Sequence, residues 1–354
     1  MIRHHWSRLS PQLWSSRRHV SSSPITIISY QRLSANCSVE LNKLSNSLSE
    51  IGFFYIGDYE DAIPSSLVSK MRAHTDSLFG AKLEEKSAIH LSKSPHFRGW
   101  SALNEEVTLG VPDFKETFDF GYDETPLAPE EAQKCRGDHA WKNMRGPNQY
   151  LQSMRDTSFE TDMRRYMDGL SRVGRVVMNS AALCLDREPV SLDRFFTDPF
   201  CLLRMIKYPP SADADPKVGI GSHSDYGFLT LIQQDPHVNG LQALSRAGQW
   251  VDVDPIPNTF AVNIGDMAEA WSSGVYRSTP HRVINSINCA GTDGNPNNGN
   301  NSRVSMAFFY EPALEATLDE HMLQLRHDGT DPVELYGQHL HRAYTRSYPT
   351  IGSA

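Results

Sequence analysis

Hydrophobic and polar positions recur with two different periods along this chain, and the change of period divides it. In residues 24–146 the periods are mixed. The run "ITIISY" reads as a short strand; Leu41, Leu44, Leu48 and Ile51 then recur at helical spacing, Gly52 stops them, and "FFYI" reads as a strand. A second helix is predicted from Pro64, acceptable in a first turn, to Phe79 before Gly80. Between Leu91 and Trp141 the pattern breaks into loops and short strands with aromatic residues among charges. Residues 147–185 carry the longest helical signal. Phe159, Met163, Met167, Leu170, Val173 and Val177 form one apolar stripe, which predicts a core-facing helix laid against something flat. From Phe200 the period shortens. "LLRMIKY", "FLTLIQQ", "LQALS", "WVDV", "FAVNIG", "HRVIN" and "RVSMAFFY" are β-prone runs separated by Gly, Pro, Asn and Asp, the pattern of a sandwich, jelly roll or barrel. "CAGTDGNPNNGNNS", residues 289–302, predicts a surface loop. In the tail after Pro312, Tyr336, Leu340 and Tyr344 are spaced by four, as in a helix.

Composition narrows the class. With 354 residues, 39% hydrophobic and 21% charged, the chain is long enough for a sizeable core and has the make-up of a globular enzyme. Its five cysteines are odd in number and form no C-x-x-C, so neither a disulfide framework nor a thiolate metal site is indicated. The net charge of −8 argues against a nucleic-acid partner, and no apolar run is long enough to span a membrane. Charge is nevertheless uneven. No acid precedes Glu40, while Arg3, Arg8, Arg17 and Arg18 are interspersed with serines. Residues 1–23 therefore have the composition of a transit peptide, which places the protein in the mitochondrial matrix or another organelle; a disordered leader on a cytoplasmic protein is the alternative.

Candidate chemistry begins at "GSHSDYG". In an extended strand residues two apart face one side, so His223 and Asp225 can present an imidazole and a carboxylate to one point. His74 and Asp76 have the same spacing but fall in a predicted helix, where they diverge, and His339 and His341 are set aside likewise. His281, in "STPHRVIN", adds a second imidazole. Two histidines and one carboxylate on one face leave coordination positions open, which suits non-haem Fe(II); a zinc site with a hydrolytic water is the alternative. In "RVSMAFFYEP", Arg303 and Ser305 again share a strand face. An inward arginine requires an anion, for which a carboxylate is the natural bidentate partner.

Taken together, "HSD", "NIGDMAEAWSSGVYRSTPHRVIN" and "RVSMAFFYEP", with "GFFYIGDY", "FRGW", "DFKETFDFG", "LLRMIKYPP" and "YPTIGSA" in order around them, resemble the iron and 2-oxoglutarate-dependent dioxygenases of the isopenicillin N synthase-like superfamily. The resemblance covers nearly everything after residue 24. It implies a mainly β fold with an α/β cap, in which a double-stranded β-helix (jelly roll) core is backed by a long helix. On that plan residues 1–23 are the leader, 24–146 the cap, 147–312 the helix and core with strands from about residue 200, and 313–354 a helical tail.

The same resemblance implies that His223, Asp225 and His281 hold Fe(II), while Arg303 and Ser305, with Tyr208 nearby, grip the distal carboxylate of 2-oxoglutarate. Dioxygen is the third reactant. The implied reaction hydroxylates or desaturates a small molecule with release of succinate and CO2. A monomer is the default expectation. Two alternatives stay open: an iron oxidase of the same fold that does without 2-oxoglutarate, and a non-catalytic binding protein. The R-x-S pair does not separate the two enzymatic readings. Phe97, Arg98, Trp100 and Phe118, from the cap, are expected to line the substrate pocket. Asp266 in "NIGD" is expected to be a turn residue. Two features depart from the plant members: Ile206 stands where many carry Asn, and the loop at 289–302 is long.

Overall fold

A computed structural model describes residues 25–211, 217–285, 302–318 and 334–348. The expected leader and all but Ser302 of the loop 289–302 lie outside the described residues. Fourteen strands position the site. In the cap these are β1 (Ile27–Ser29), β2 (Phe53–Gly57), β3 (Gly99–Ser101), β4 (Val107–Thr108), β5 (Val111–Pro112) and β6 (Glu116–Gly121). The C-terminal half supplies β7 (Phe200–Tyr208), β8 (Val218–His223), β9 (Leu229–Gln233), β10 (Leu241–Leu244), β11 (Trp250–Asp252), β12 (Phe260–Ile264), β13 (His281–Ile284) and β14 (Arg303–Glu311).

Twelve of these form two principal sheets, one in the order β1-β2-β12-β9-β14-β7-β6-β3 and one in the order β11-β10-β13-β8, and β4 pairs with β5 apart from them. The eight strands β7 to β14 are the jelly roll. The cap extends the larger sheet at both edges: β2 pairs antiparallel with β12, and β6 pairs antiparallel with β7. This pairing makes the cap continuous with the core.

Strand alternation explains how β14 serves two purposes. Val304, Met306, Phe308 and Tyr310 join the apolar cluster on the helix side of the large sheet, while Ala307 and Phe309 join the one between the sheets. With both faces buried, the strand reads in sequence as a nearly continuous apolar run. The long helix, Phe159–Leu183, lies across β7, β9 and β14 with its predicted stripe buried. It starts later than the expected residue 147. Leu151 and Met154 continue the apolar spacing, but they anchor a short 3-10 turn, and helix begins only after Ser158, whose hydroxyl donates to the Asp162 carboxylate at 2.7 Å. The C-terminal helix, Tyr336–Ser347, has the predicted face, with Tyr336, Leu340 and Ala343 buried. Among the described residues no helix is long and apolar enough to cross a membrane.

Candidate metal and cosubstrate site

The register of β8 against β13 sets His281 opposite His223. The Nδ1 of each ring meets a backbone carbonyl two residues back, Gly221 O at 2.9 Å for His223 and Thr279 O at 3.0 Å for His281. That geometry assigns the ring proton to Nδ1 and turns Nε2, with its lone pair, toward the other histidine and Asp225. Strand β8 ends at His223, so Asp225 is not on the strand as expected but in the turn after it. It converges all the same. Asp225 Oδ1 lies 3.9 Å from His223 Nε2 and 3.7 Å from His281 Nε2. Its Oδ2 accepts hydrogen bonds from Thr230 Oγ1 and Asn263 Nδ2, each at 2.6 Å. The three candidate ligand atoms lie within 4.8 Å of one another, and among the described residues no other trio of His, Cys, Asp or Glu converges in this way.

Electrostatics agree with ligation. Burial, reinforced by the neighbouring His281, pushes His223 down to about 4, so its imidazole is neutral and able to donate at ordinary pH. Burial would raise Asp225, but His281, His223 and the bonds from Thr230 and Asn263 outweigh it and hold the carboxyl below its usual range. Two imidazole nitrogens and one carboxylate oxygen form a donor set that fits Fe(II). Asp266 begins the short helix Asp266–Trp271, and its N–H donates to Asp225 O at 2.8 Å, so it braces the turn through its backbone.

At the start of β14, Arg303 is 2% exposed and sits opposite Tyr208 in the register with β7. Its polar partners are neutral: Ser305 Oγ at 3.4 Å and Gln234 Oε1 at 3.3 Å, with the Tyr208 ring 5.2 Å away. Among the described residues its Nε has no hydrogen-bond partner. Asp235, close by, is engaged by Arg72 at 2.7 Å and by the Val304 N–H at 3.1 Å. A buried guanidinium without a counter-anion costs several kcal/mol, so the site is built for an anion that the described residues do not supply. A carboxylate of 2-oxoglutarate fits it in charge and in bidentate geometry.

Both ends open on a cavity of about 850 Å³ walled by the inner faces of β7, β8, β9 and β14, by residues 106–110 and by Leu340, Tyr344 and Tyr348. His223, Asp225, His281, Arg303, Ser305 and Tyr208 all line it. Phe97, Arg98, Trp100 and Phe118 do not, which corrects the expectation for them. Phe97 packs edge-on against Tyr344, Phe118 against Phe79, and the Trp100 indole donates to Glu116 at 2.7 Å. Arg98 lies 5.1 Å over the ring of Phe200, which is itself on the wall, so the cap aromatics form the layer behind the pocket. Sequence reasoning missed Thr230, Asn263 and Gln234, as well as the wall carboxylates Glu106 and Glu311.

Comparison with known proteins gives concordant results. Residues 199–312 match the family model of the 2OG-Fe(II) oxygenase superfamily, and residues 25–153 match that of the non-haem dioxygenase N-terminal region named for morphine synthesis. A homoarginine-6-hydroxylase of Glycine max is 33% identical over 310 residues, covering 85% of this chain and 86% of that protein. A homoarginine-6-hydroxylase of Oryza sativa subsp. japonica is 35% identical over 306 residues, covering 84% and 86%. Among solved structures, a Neurospora crassa protein in complex with 2-oxoglutarate and thymine superposes with a TM-score of 0.70 at 23% identity, covering 92% of this chain and 97% of that one.

Proposed function

The chain belongs to the 2OG-Fe(II) oxygenase superfamily, and from that premise we propose how its own residues carry the reaction. His223, Asp225 and His281 hold the iron, and Arg303 with Ser305 and Tyr208 holds the distal carboxylate of 2-oxoglutarate. Bound Fe(II) supplies the redox chemistry by which dioxygen and 2-oxoglutarate oxidise a C–H bond of a small molecule, leaving succinate and CO2. The chain's contribution is placement. Thr230 and Asn263 fix the Asp225 carboxylate so that Oδ1 faces the two imidazoles. The carbonyls of Gly221 and Thr279 hold each imidazole in the donating tautomer. Ile232 of β9 with Ala307 and Phe309 of β14 gives the cavity wall an apolar stretch that keeps bulk water from the reacting carbon.

The observation that carries this reading is Arg303, a buried cation whose hydrogen-bond partners among the described residues are all neutral, in the same cavity as a converged His–Asp–His trio. It is tested by anaerobic titration of the Fe(II)-loaded protein with 2-oxoglutarate, following the visible charge-transfer band of the chelate. The wild type is expected to give a saturable band. Removing a buried charge partner costs about 3–5 kcal/mol, so Arg303→Ala should raise the half-saturating concentration by at least about two orders of magnitude. An unchanged concentration would remove Arg303 from the cosubstrate site.

For the prime substrate we propose a small amino acid with a cationic side chain, the class that includes homoarginine, on the support of the relatives' activity and of the carboxylates on the cavity wall. The acid-free, arginine-bearing leader supports import into an organelle, the mitochondrial matrix first, which imaging of a full-length fluorescent fusion would test. A monomer is proposed, to be checked by light scattering.

A further inference from the structure

One face of β14 carries a guanidinium at one end and a carboxyl at the other. Arg303, Ser305, Ala307, Phe309 and Glu311 all line the cavity. The strand's 9 residues set the first and last roughly 26 Å apart along its length. Arg303 is the cation awaiting an anion. Glu311 is its mirror image. Its side chain is 5% exposed, and its Oε2 accepts from the Phe228 N–H at 3.2 Å and the Tyr336 hydroxyl at 2.7 Å. Both donors are neutral, and among the described residues Oε1 has no hydrogen-bond partner and neither oxygen meets a cation. The carboxyl is held tightly against the 227–228 backbone, where a Cβ on Gly227 would overlap it.

The other two acids on the wall are already compensated. Glu106 receives Arg204 at 3.0 Å and Lys115 at 3.0 Å, and Asp225 belongs to the metal trio. Among the described residues, a cation entering the cavity therefore finds a carboxyl without an ionic partner only at Glu311. Burial, with the Asp225 charge acting in the same direction and the Tyr336 bond opposing them, pushes this carboxyl up to about 8, so a cationic partner would relieve a real electrostatic cost.

We infer that Glu311 is the specificity residue that receives the cationic group of the prime substrate, a guanidinium or an ammonium. This rests on the reading of the cavity as the prime-substrate site. Glu311 lines the same cavity as Asp225 and packs against Gly227 and Phe228 of the turn that carries it, so a cation held there brings the adjoining carbons toward the trio, while the acid end of the molecule is free to extend along the cavity. A charge-assisted hydrogen bond in a buried site is about twice as strong as a neutral one, which suffices for discrimination on the order of tenfold.

The test uses the full chain loaded with Mn(II) and 2-oxoglutarate, which binds without turnover, and isothermal titration calorimetry with two matched pairs. Homoarginine and homocitrulline differ only in exchanging guanidinium for neutral urea, and butylguanidine and butylurea differ likewise without the amino-acid end. Wild type is expected to bind each cation about tenfold or more tighter than its neutral twin. Glu311→Gln should abolish the difference by weakening the cations alone. Glu311→Asp, which retains the charge but withdraws it, should reduce it and serves if the glutamine variant does not fold. Retention of the full preference in these variants overturns the inference. Preference for butylguanidine without binding of either amino acid removes the amino-acid reading and leaves Glu311 as the cation receptor; a wild type without preference in either pair overturns both.

Discussion

The two oxygens of Asp225 face different partners. Oδ2 is saturated by the hydroxyl of Thr230 and the amide of Asn263, and Oδ1 is turned toward His223 and His281. The carboxylate is thereby oriented before any metal arrives, and orienting partners of this kind are worth about 10- to 100-fold in metal affinity. Asn263→Ala should lower Fe(II) or Mn(II) affinity by about that factor in a chelator competition while His223 and His281 keep their own carbonyl contacts; unchanged affinity would show that Thr230 suffices alone. At this scale the sequence is half legible. His223, His281 and Arg303 stand out because β-strands rarely carry such residues inward without a chemical reason, and Asp225 stands out by its place two residues after His223. Asn263 and Glu311 do not stand out. They sit in "FAVNIG" and "FFYEP", where their types are ordinary, and only the fold shows that one meets Asp225 and the other faces the cavity without a counterion.

Among the elements, the short helix Asp266–Trp271 has the largest effect on the site for its size. A helix leaves its first N–H groups without partners, and here the N–H groups of Asp266 and Met267 donate to the carbonyls of Asp225 and Gly227 at 2.8 and 3.0 Å. The turn that carries the proposed iron ligand is thus clamped by a helix start, and the clamp requires Gly265. A Cβ at that position would stand 2.5 Å from Gly227 O and 2.6 Å from Asp225 O, with backbone on both sides and nowhere to move. Gly265→Ala should cost about 1–3 kcal/mol of stability through overpacking and weaken metal binding with it. Gly80→Ala, where nothing lies within 4 Å, should do neither. Thermal midpoints and metal titrations of the two variants decide, and a Gly265→Ala protein equal to wild type in both would refute the clamp. Periodicity placed the strands after Phe200 and the buried stripe of the long helix well. It misjudged where that helix starts because Leu151 and Met154, anchored in a non-helical turn, keep the same spacing as helical positions. The same limit explains the pocket: Phe97, Trp100 and Phe118 were recognisable as buried aromatics, but no local pattern says which layer of a packed wall a residue occupies.

Across the whole molecule, cap, core and C-terminal segment meet in one ionic knot beside the cavity. Arg204 of β7 reaches Asp119 of β6 at 2.7 Å, Glu106 at 3.0 Å and the Tyr348 hydroxyl at 3.1 Å. The Tyr348 hydroxyl in turn donates to Glu106 at 2.9 Å. Lys115 lies 3.0 Å from both Glu106 and Asp113. The tail's helical spacing was readable, but its role in closing this knot was not, because Glu106 and Tyr348 are 242 positions apart and only tertiary structure joins them. Burial alone would raise Glu106, but Arg204 and Lys115 outweigh it and hold the carboxyl down to about 2. A folded-state value below the ordinary 4.5 means that the unfolded chain binds the proton more readily. The group's stabilisation is then fully present above 4.5 and is lost as pH falls toward 2. The charge-neutral variant Glu106→Gln has no such dependence. Its thermal midpoint should fall furthest below that of wild type near neutral pH and converge on it between about 4.5 and 2, while titrations elsewhere, shared by both proteins, cancel in the difference. A gap that stayed constant through that range would mean the knot is held by shape and hydrogen bonding, with the charge on Glu106 contributing nothing to the joining of cap, core and tail.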